Sequence, residues 1–214
     1  VPLAYLLGYR EFWSLKLKVT RDVLIPRPET ELLVEWALEL ISHHGCESLL
    51  DLGTGSGAIA LAVQHESARL SVTACDISEA ALSVARENSR ALQLPVEFVQ
   101  SSWFAALGHR RWPLIVSNPP YVAVDDAHLS GGDLRFEPDM ALTDGRDGLS
   151  SIREIASRAP DHLTPGGWLL IEHGYDQAAE VRSIFELNGF SNVTLRHDLV
   201  GRPRATGGCF GNAG

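Results

Sequence analysis

Asp51-Leu52-Gly53-Thr54-Gly55-Ser56-Gly57-Ala58-Ile59-Ala60 decides the fold. The segment joins a short apolar run, Ser48–Leu52, to Ala58–His65, whose apolar residues recur at helical spacing. Glycines at alternate positions let the backbone turn tightly and approach a ligand without side-chain interference. The helix start beyond them offers unpaired N–H groups. Outward from this loop the chain alternates short strands and helices: Leu70–Cys75, Glu79–Leu92, Val96–Val99, Leu114–Ser117, Leu149–Leu163, Trp168–His173, Asp176–Asn188 and Val193–His197. Short apolar strands separated by amphipathic helices imply a mostly parallel sheet covered on both faces, a doubly wound α/β fold.

In such sheets ligands bind beyond the carboxyl ends of the strands, where the glycine loop would lie. Asp76 follows Gly57 by 19 residues, at the end of the second core strand. A carboxylate there accepts the hydroxyl hydrogens of a ribose. Three readings compete: a structural turn, a dinucleotide dehydrogenase and an S-adenosylmethionine site. Gly53, Gly55 and Ala58 satisfy the dinucleotide fingerprint, which sets a pyrophosphate over the helix start. Asp51, preceding the glycines, suits the ammonium and sulfonium of S-adenosylmethionine better.

The next motif decides between them. Ile115-Val116-Ser117-Asn118-Pro119-Pro120-Tyr121 ends a core strand in a rigid turn. The two prolines fix the backbone and remove two N–H donors. Asn118 adds a side-chain acceptor and Tyr121 an aromatic face. The set suits a planar –NH2, one hydrogen accepted by Asn118 and one by the Pro119 carbonyl, with Tyr121 against the plane. An amide nitrogen is a poor nucleophile, so two acceptors that aim its lone pair at a methyl carbon supply what the reaction needs. A plain proline-rich loop after a strand would leave the upstream glycine loop and acid unexplained.

Asn-Pro-Pro-Tyr at 118–121, with the Asp-Leu-Gly-Thr-Gly-Ser-Gly loop at 51–57, resembles the amino methyltransferases. Ile25-Pro26-Arg27-Pro28-Glu29-Thr30-Glu31 narrows this, being similar to the signature of the HemK/PrmC family of release factor N5-glutamine methyltransferases. Tyr5-Leu6-Leu7-Gly8, Glu11-Phe12-Trp13, Arg135-Phe136-Glu137-Pro138 and Glu172-His173-Gly174 match as well. The resemblance implies a seven-stranded class I methyltransferase sheet with a small N-terminal β-hairpin, S-adenosylmethionine as cofactor, and the Gly-Gly-Gln glutamine of class I peptide chain release factors as acceptor. It places Gly53, Thr54, Gly55, Ser56 and Gly57 around the methionine part, Asp76 at the ribose and Trp103 at the adenine. Asn118, Pro119, Pro120 and Tyr121 would grip the glutamine, with Asn118 also near the methyl donor and Leu24 and Arg27–Thr30 bordering the pocket. Ser102 stands where the family carries an acid. The family's N-terminal helical domain does not precede Val1-Pro2-Leu3, which reads as the start of a fragment, and Gly207–Gly214 departs from the family's ending.

Composition bounds the rest. The 214 residues, 45% hydrophobic and 21% charged, suit one domain, divided here into residues 1–28 (hairpin and linker) and 29–214 (methyltransferase). No run is long and apolar enough to cross a bilayer, and a cytoplasmic monomer is expected. The net charge of −9 disfavours nonspecific nucleic-acid binding, which weighs against a DNA adenine-N6 methyltransferase. A ribosomal-protein glutamine methyltransferase and a non-catalytic binding module on the same scaffold remain compatible with these motifs. Cys46, Cys75 and Cys209 lie far apart and no metal site is expected. Trp13, Leu15, Leu17 and Val19 alternate as in a half-buried strand, Thr30–His43 reads as an amphipathic helix, and the long 122–147 connection reads as substrate-facing or a lid.

Overall fold

The computed structural model describes residues 1–126 and 134–211. Its strands are β1 (Tyr9–Phe12), β2 (Leu15–Lys18), β3 (Ser48–Leu52), β4 (Ser71–Asp76), β5 (Glu97–Gln100), β6 (Trp112–Ser117), β7 (Leu163–Glu172), β8 (Phe190–His197) and β9 (Pro203–Phe210). Its helices are α1 (Leu3–Leu7), α2 (Glu31–His44), α3 (Ala58–Glu66), α4 (Glu79–Leu92), α5 (Asp139–Leu142), α6 (Ser150–His162) and α7 (Ala178–Leu187). β1 and β2 form the hairpin, and the other seven form one sheet in the order β5-β4-β3-β6-β7-β9-β8. The first five strands of that order pair in parallel, and β9 joins β7 and β8 antiparallel. Alternation along β3 splits the interior. Leu49 enters the apolar cluster under α2 and α3, while Leu50 and Leu52 enter the cluster under α6 and α7.

Four local expectations change. The alternation beginning at Trp13 is a strand only from Leu15, because Trp13 and Ser14 form the hairpin turn with φ of 51° and 59°. Those angles are unusual for side chains of this size. Trp13 holds its angle because its backbone N–H donates to Glu31 and its indole N–H to Glu66, both at 2.9 Å. Pro26 and Pro28, so close together, argue in the sequence against any regular element before α2, yet Pro28–Thr30 makes one 3₁₀ turn, with Pro28 at its first position, where the missing N–H costs nothing. β7 begins at Leu163, before Pro165-Gly166-Gly167, which bulges out between the Trp112–Leu163 and Leu114–Trp168 pairs.

The largest change is β9. Gly207-Gly208-Cys209 is an interior strand, not an atypical tail; Asn212–Gly214 lies outside the described residues. A Cβ on Gly207 would stand 2.5 Å from the Trp36 ring and 2.6 Å from Leu170, and one on Gly208 would stand 2.9 Å from Phe185. Large neighbours occupy the volume these positions leave empty. Gly207→Ala is therefore expected to cost about 1–3 kcal/mol by overpacking, read as a lower urea midpoint with unchanged slope. An unchanged midpoint would show that Trp36 moves freely.

Candidate active site

Parallel pairing brings three chemical segments side by side. Leu52 at the end of β3 is in register with Cys75 of β4 on one side and Ser117 of β6 on the other. Strands lie roughly 4.8 Å apart, so Asp76, the glycine loop and Asn118 spread over about 10 Å along one sheet edge. Above them lies a cavity of about 210 Å³, walled by Asp76, Gly53–Ser56, Trp103, Asn118 and Pro120. The far wall comes from Leu24, Pro26, Arg27 and Thr30, and from Pro138, Met140 and Ala141.

The glycine loop holds its shape through two carboxylates. Gly55 has φ of 56° and donates its N–H to Asp76 Oδ2 at 2.9 Å, and Ser78 N–H donates to Oδ1 at 2.9 Å. Each oxygen keeps a lone pair for a further donor in the cavity. Burial pushes the Asp76 carboxyl up, and these backbone donors pull it back. Asp51 does not face the cavity. It is fully buried beneath the loop, where Oδ2 accepts from the Thr54 hydroxyl at 2.6 Å and the Ala60 N–H at 3.3 Å. Its Oδ1 has no partner among the described residues, and burial drives the carboxyl up to about 7. It therefore shapes the loop from beneath and is not itself a contact of the cavity. Gly57 lies off the cavity wall. It starts α3, where a Cβ would come within 3.0 Å of Leu61 and 3.3 Å of Ala85.

Trp103 takes φ of 47°, held by its carbonyl, which accepts from the Ser101 hydroxyl at 2.8 Å and the Cys75 thiol at 3.5 Å. Its ring lies against the loop, 3.4 Å from where a Gly53 Cβ would stand. Beyond Gly55 no described atom lies within 4 Å of a built Cβ. An aromatic wall, spare carboxylate lone pairs and an open glycine backbone fit a nucleoside with a short charged tail.

At the other end, Asn118 Nδ2 donates to the Thr30 hydroxyl at 3.1 Å, which leaves Oδ1 for the cavity. Among the described residues no backbone N–H donates to the Pro119 carbonyl. Pro120 is in the wall, Pro119 is buried, and Tyr121 packs behind the wall against the α6 and α7 cluster. The Tyr121 hydroxyl donates to Glu172 Oε1 at 3.2 Å. Arg27 is fixed by an ion pair with buried Glu137, whose carboxylate also accepts the Ile25 N–H at 3.0 Å. The 122–147 connection does border the cavity, through α5 and Pro138; residues 127–133 lie outside the described ones.

Each site residue read from the sequence thus lies in the wall or one layer behind it. Asp22, Val23, Met140 and Ala141 were missed, because apolar wall residues and a lone surface acid carry no sequence signal of their own. Among the described residues no group of His, Cys, Asp and Glu is placed to hold a metal, and no helix is long and apolar enough to cross a membrane.

This sheet order, with a glycine-loop cavity at the parallel strand ends, is the class I methyltransferase fold. A methyltransferase from Pyrococcus furiosus superposes with a TM-score of 0.67 at 21% identity, over 92% of this chain and 90% of that one. The family model "Methyltransferase small domain" matches residues 29–131. The release factor glutamine methyltransferase of Neisseria gonorrhoeae is 52% identical over 98% of this chain and 77% of its own length. That of Xylella fastidiosa is 51% identical over 97% and 76%. The chain belongs to the HemK/PrmC family of release factor glutamine methyltransferases.

The buried acids set the pH dependence of folding. Asp51 ionises near 4 when unfolded but near 7 when folded, so rising pH through that interval favours the unfolded chain. Glu172, also raised to about 7, acts in the same direction. In urea titrations without cofactor, stability should fall between about pH 4 and pH 7. Asp51→Asn should reduce that fall by about 1 kcal/mol or more. Equal falls for the two proteins would show that Asp51 is not held in its neutral form.

Proposed function

We propose that this chain transfers a methyl group from S-adenosylmethionine to the side-chain amide nitrogen, N5, of the glutamine in the Gly-Gly-Gln motif of class I release factors. The observation that carries this reading is the fixed amide of Asn118, a cavity-wall residue one strand spacing from the glycine loop, whose Nδ2 is committed to Thr30 and so leaves Oδ1 as the acceptor. Family membership supports release factor glutamine as the acceptor. The net charge of −9 supports protein rather than nucleic acid as the substrate. In this reading residues 29–214 are the methyltransferase domain, and the segment up to Pro28 supplies one wall of its cavity.

The cofactor supplies an electrophilic methyl on a positively charged sulfur. Asp76 would hold its ribose hydroxyls, Gly53–Ser56 its methionine part, and Trp103 would border its adenine. Asn118 Oδ1 and the Pro119 carbonyl accept the two amide hydrogens of the substrate and turn the nitrogen lone pair toward the methyl carbon. Tyr121 backs the wall behind Pro120 and holds the turn in place. With the cofactor bound, the nitrogen lone pair aimed by Asn118 and Pro119 would form the N–C bond, the C–S pair would return to sulfur, and one N–H proton would be released. No side chain has to act as a strong base, because orientation and the two acceptors lower the barrier.

Asn118→Ala should leave cofactor affinity within a fewfold and cut kcat by roughly a hundredfold or more, the scale of losing one preorganised hydrogen-bonding group. Near-normal turnover would remove Asn118 from the reaction. Asp76→Ala should instead raise the cofactor Kd, read by calorimetry, and an unchanged Kd would argue against ribose contact. With labelled cofactor, a release factor should take label, its Gly-Gly-Gln Gln→Ala variant should not, and DNA should not. Label on DNA alone would overturn the proposal.

A further inference from the structure

Glu172-His173-Gly174 is a sequence motif that methyl transfer, as derived so far, leaves without a task. Glu172 ends β7 next to β6, with its carboxyl fully buried and Oε2 unpartnered among the described residues. It is not a cavity residue, yet it touches what stands behind both walls of the acceptor end. Oε1 accepts from the Tyr121 hydroxyl. The Thr30 hydroxyl, whose oxygen holds Asn118 Nδ2, lies beside the same carboxyl and stabilises its charged form. We propose that Glu172 is a positioning residue for methyl transfer, the shared anchor that sets Asn118 (through Thr30) and Tyr121 against one another.

The case turns on hydrogen-bond direction. A carboxylate only accepts, so the tyrosine hydroxyl beside it must donate. With a donor-demanding group behind Thr30, the Thr30 oxygen is left to accept from Asn118 Nδ2, and the Asn118 amide is then forced to show Oδ1 to the cavity. A group that donated from the position of Glu172 would remove that preference and let the Asn118 amide turn over. The same connection holds Tyr121 at its other end. Gln177, five residues beyond Glu172, donates to the Tyr121 carbonyl at 3.0 Å and accepts the Gly174 N–H at 2.8 Å. Gly148 presses on that carbonyl too closely for any Cβ. His173 fixes the turn: Nδ1 faces the Gly174 carbonyl and Nε2 the Thr206 hydroxyl, each at 2.8 Å. A carbonyl only accepts, so Nδ1 carries the proton, and burial holds the ring neutral.

Glu172 is raised to about 7, first by burial. The groups facing it are Thr30 and Glu29 from the proline-rich segment, Tyr121 beyond β6 and Arg204 from β9. Glu29 opposes its ionisation and Arg204 favours it. Tyr121 stays protonated throughout the working range. The carboxylate is the form that orients the network, so activity should gain a limb rising through neutral pH that belongs to Glu172.

The inference rests on the proposed glutamine methylation, and the test separates the two. Wild type, Asn118→Ala, Glu172→Gln, Tyr121→Phe and the double variant Glu172→Gln/Tyr121→Phe are assayed with S-adenosylmethionine and a Gly-Gly-Gln release factor. Glu172→Gln should lower kcat about tenfold with KM and cofactor Kd within a fewfold, the pattern of an interaction felt only in the transition state. It should also lose the neutral-pH limb. Tyr121→Phe, which keeps the ring and its packing, carries the test if Glu172→Gln does not fold, and it too should lower kcat at constant KM. The double variant should be no worse than the poorer single variant, since the two groups act through one contact. A Glu172→Gln enzyme with wild-type kcat and pH profile, beside a dead Asn118→Ala, would overturn the positioning role and leave the reaction standing. Full activity of Asn118→Ala would remove Asn118, and with it the network that Glu172 is proposed to orient, whereas a wild type that puts no label on the release factor would overturn the reaction itself.

Discussion

The double parallel pairing of β3, with β4 on one side and β6 on the other, is the constraint on which the rest depends. A parallel strand ends where its neighbours end, so three segments far apart in sequence arrive together at one edge. No side-chain contact is needed to bring Asp76, Gly53–Ser56 and Asn118 into line. What side chains do is fix how each segment leaves its strand. Backbone amides of the loop reach Asp76, the carbonyl of Trp103 holds an unfavourable φ, and Thr30 turns the Asn118 amide. A one-residue slip of β6 would exchange faces along that strand and carry Asn118 away from the cavity.

Sequence reasoning read the parallel core well because that core is written in local patterns. The strand runs, the helix Glu79–Leu92 and the loop glycines each obey a periodicity or a backbone requirement that neighbours in sequence state among themselves. It failed where the reason for a residue lies across the fold. Gly207 and Gly208 read only as part of an atypical ending, but they leave room for the rings of Trp36 and Phe185, which belong to α2 and α7. Trp13 looks like a strand residue, but hydrogen bonds to Glu31 and Glu66 hold it in a turn that its own preference opposes.

The candidate site divides in the same way. Groups that would meet a ligand, Asp76 and Asn118, were legible because their chemistry is explicit. Thr30 was legible only as a pocket neighbour, and its task, turning Asn118, emerges only once the start of α2 is packed against the end of β6. Tyr121 was legible as an aromatic wall, whereas the structure sets it behind Pro120 with its hydroxyl turned to Glu172. Glu172 carried a motif but no reason, since a glutamate at the end of an apolar strand gives no sign of what it will face.

Three buried carboxyls hold the cavity, one for each segment of its wall. Asp51 holds the glycine loop, Glu137 the proline-rich segment, and Glu172 the Asn118–Tyr121 turn. Of the three, Glu137 has a cation in contact, Arg27. Asp51 and Glu172 each retain one oxygen without a partner among the described residues, and burial raises both to about 7. A hydrophobic replacement would pack at lower cost, so their presence is not explained by stability. Each is explained by direction. A buried acceptor without a competing donor fixes which way the nearest hydroxyl points, and through that hydroxyl it fixes the next group. The Thr54 hydroxyl is committed to Asp51, and the Tyr121 hydroxyl to Glu172. For an acceptor as weakly nucleophilic as an amide nitrogen, orientation is most of what an enzyme has to offer, and uncompensated buried acids are a structural means of providing it.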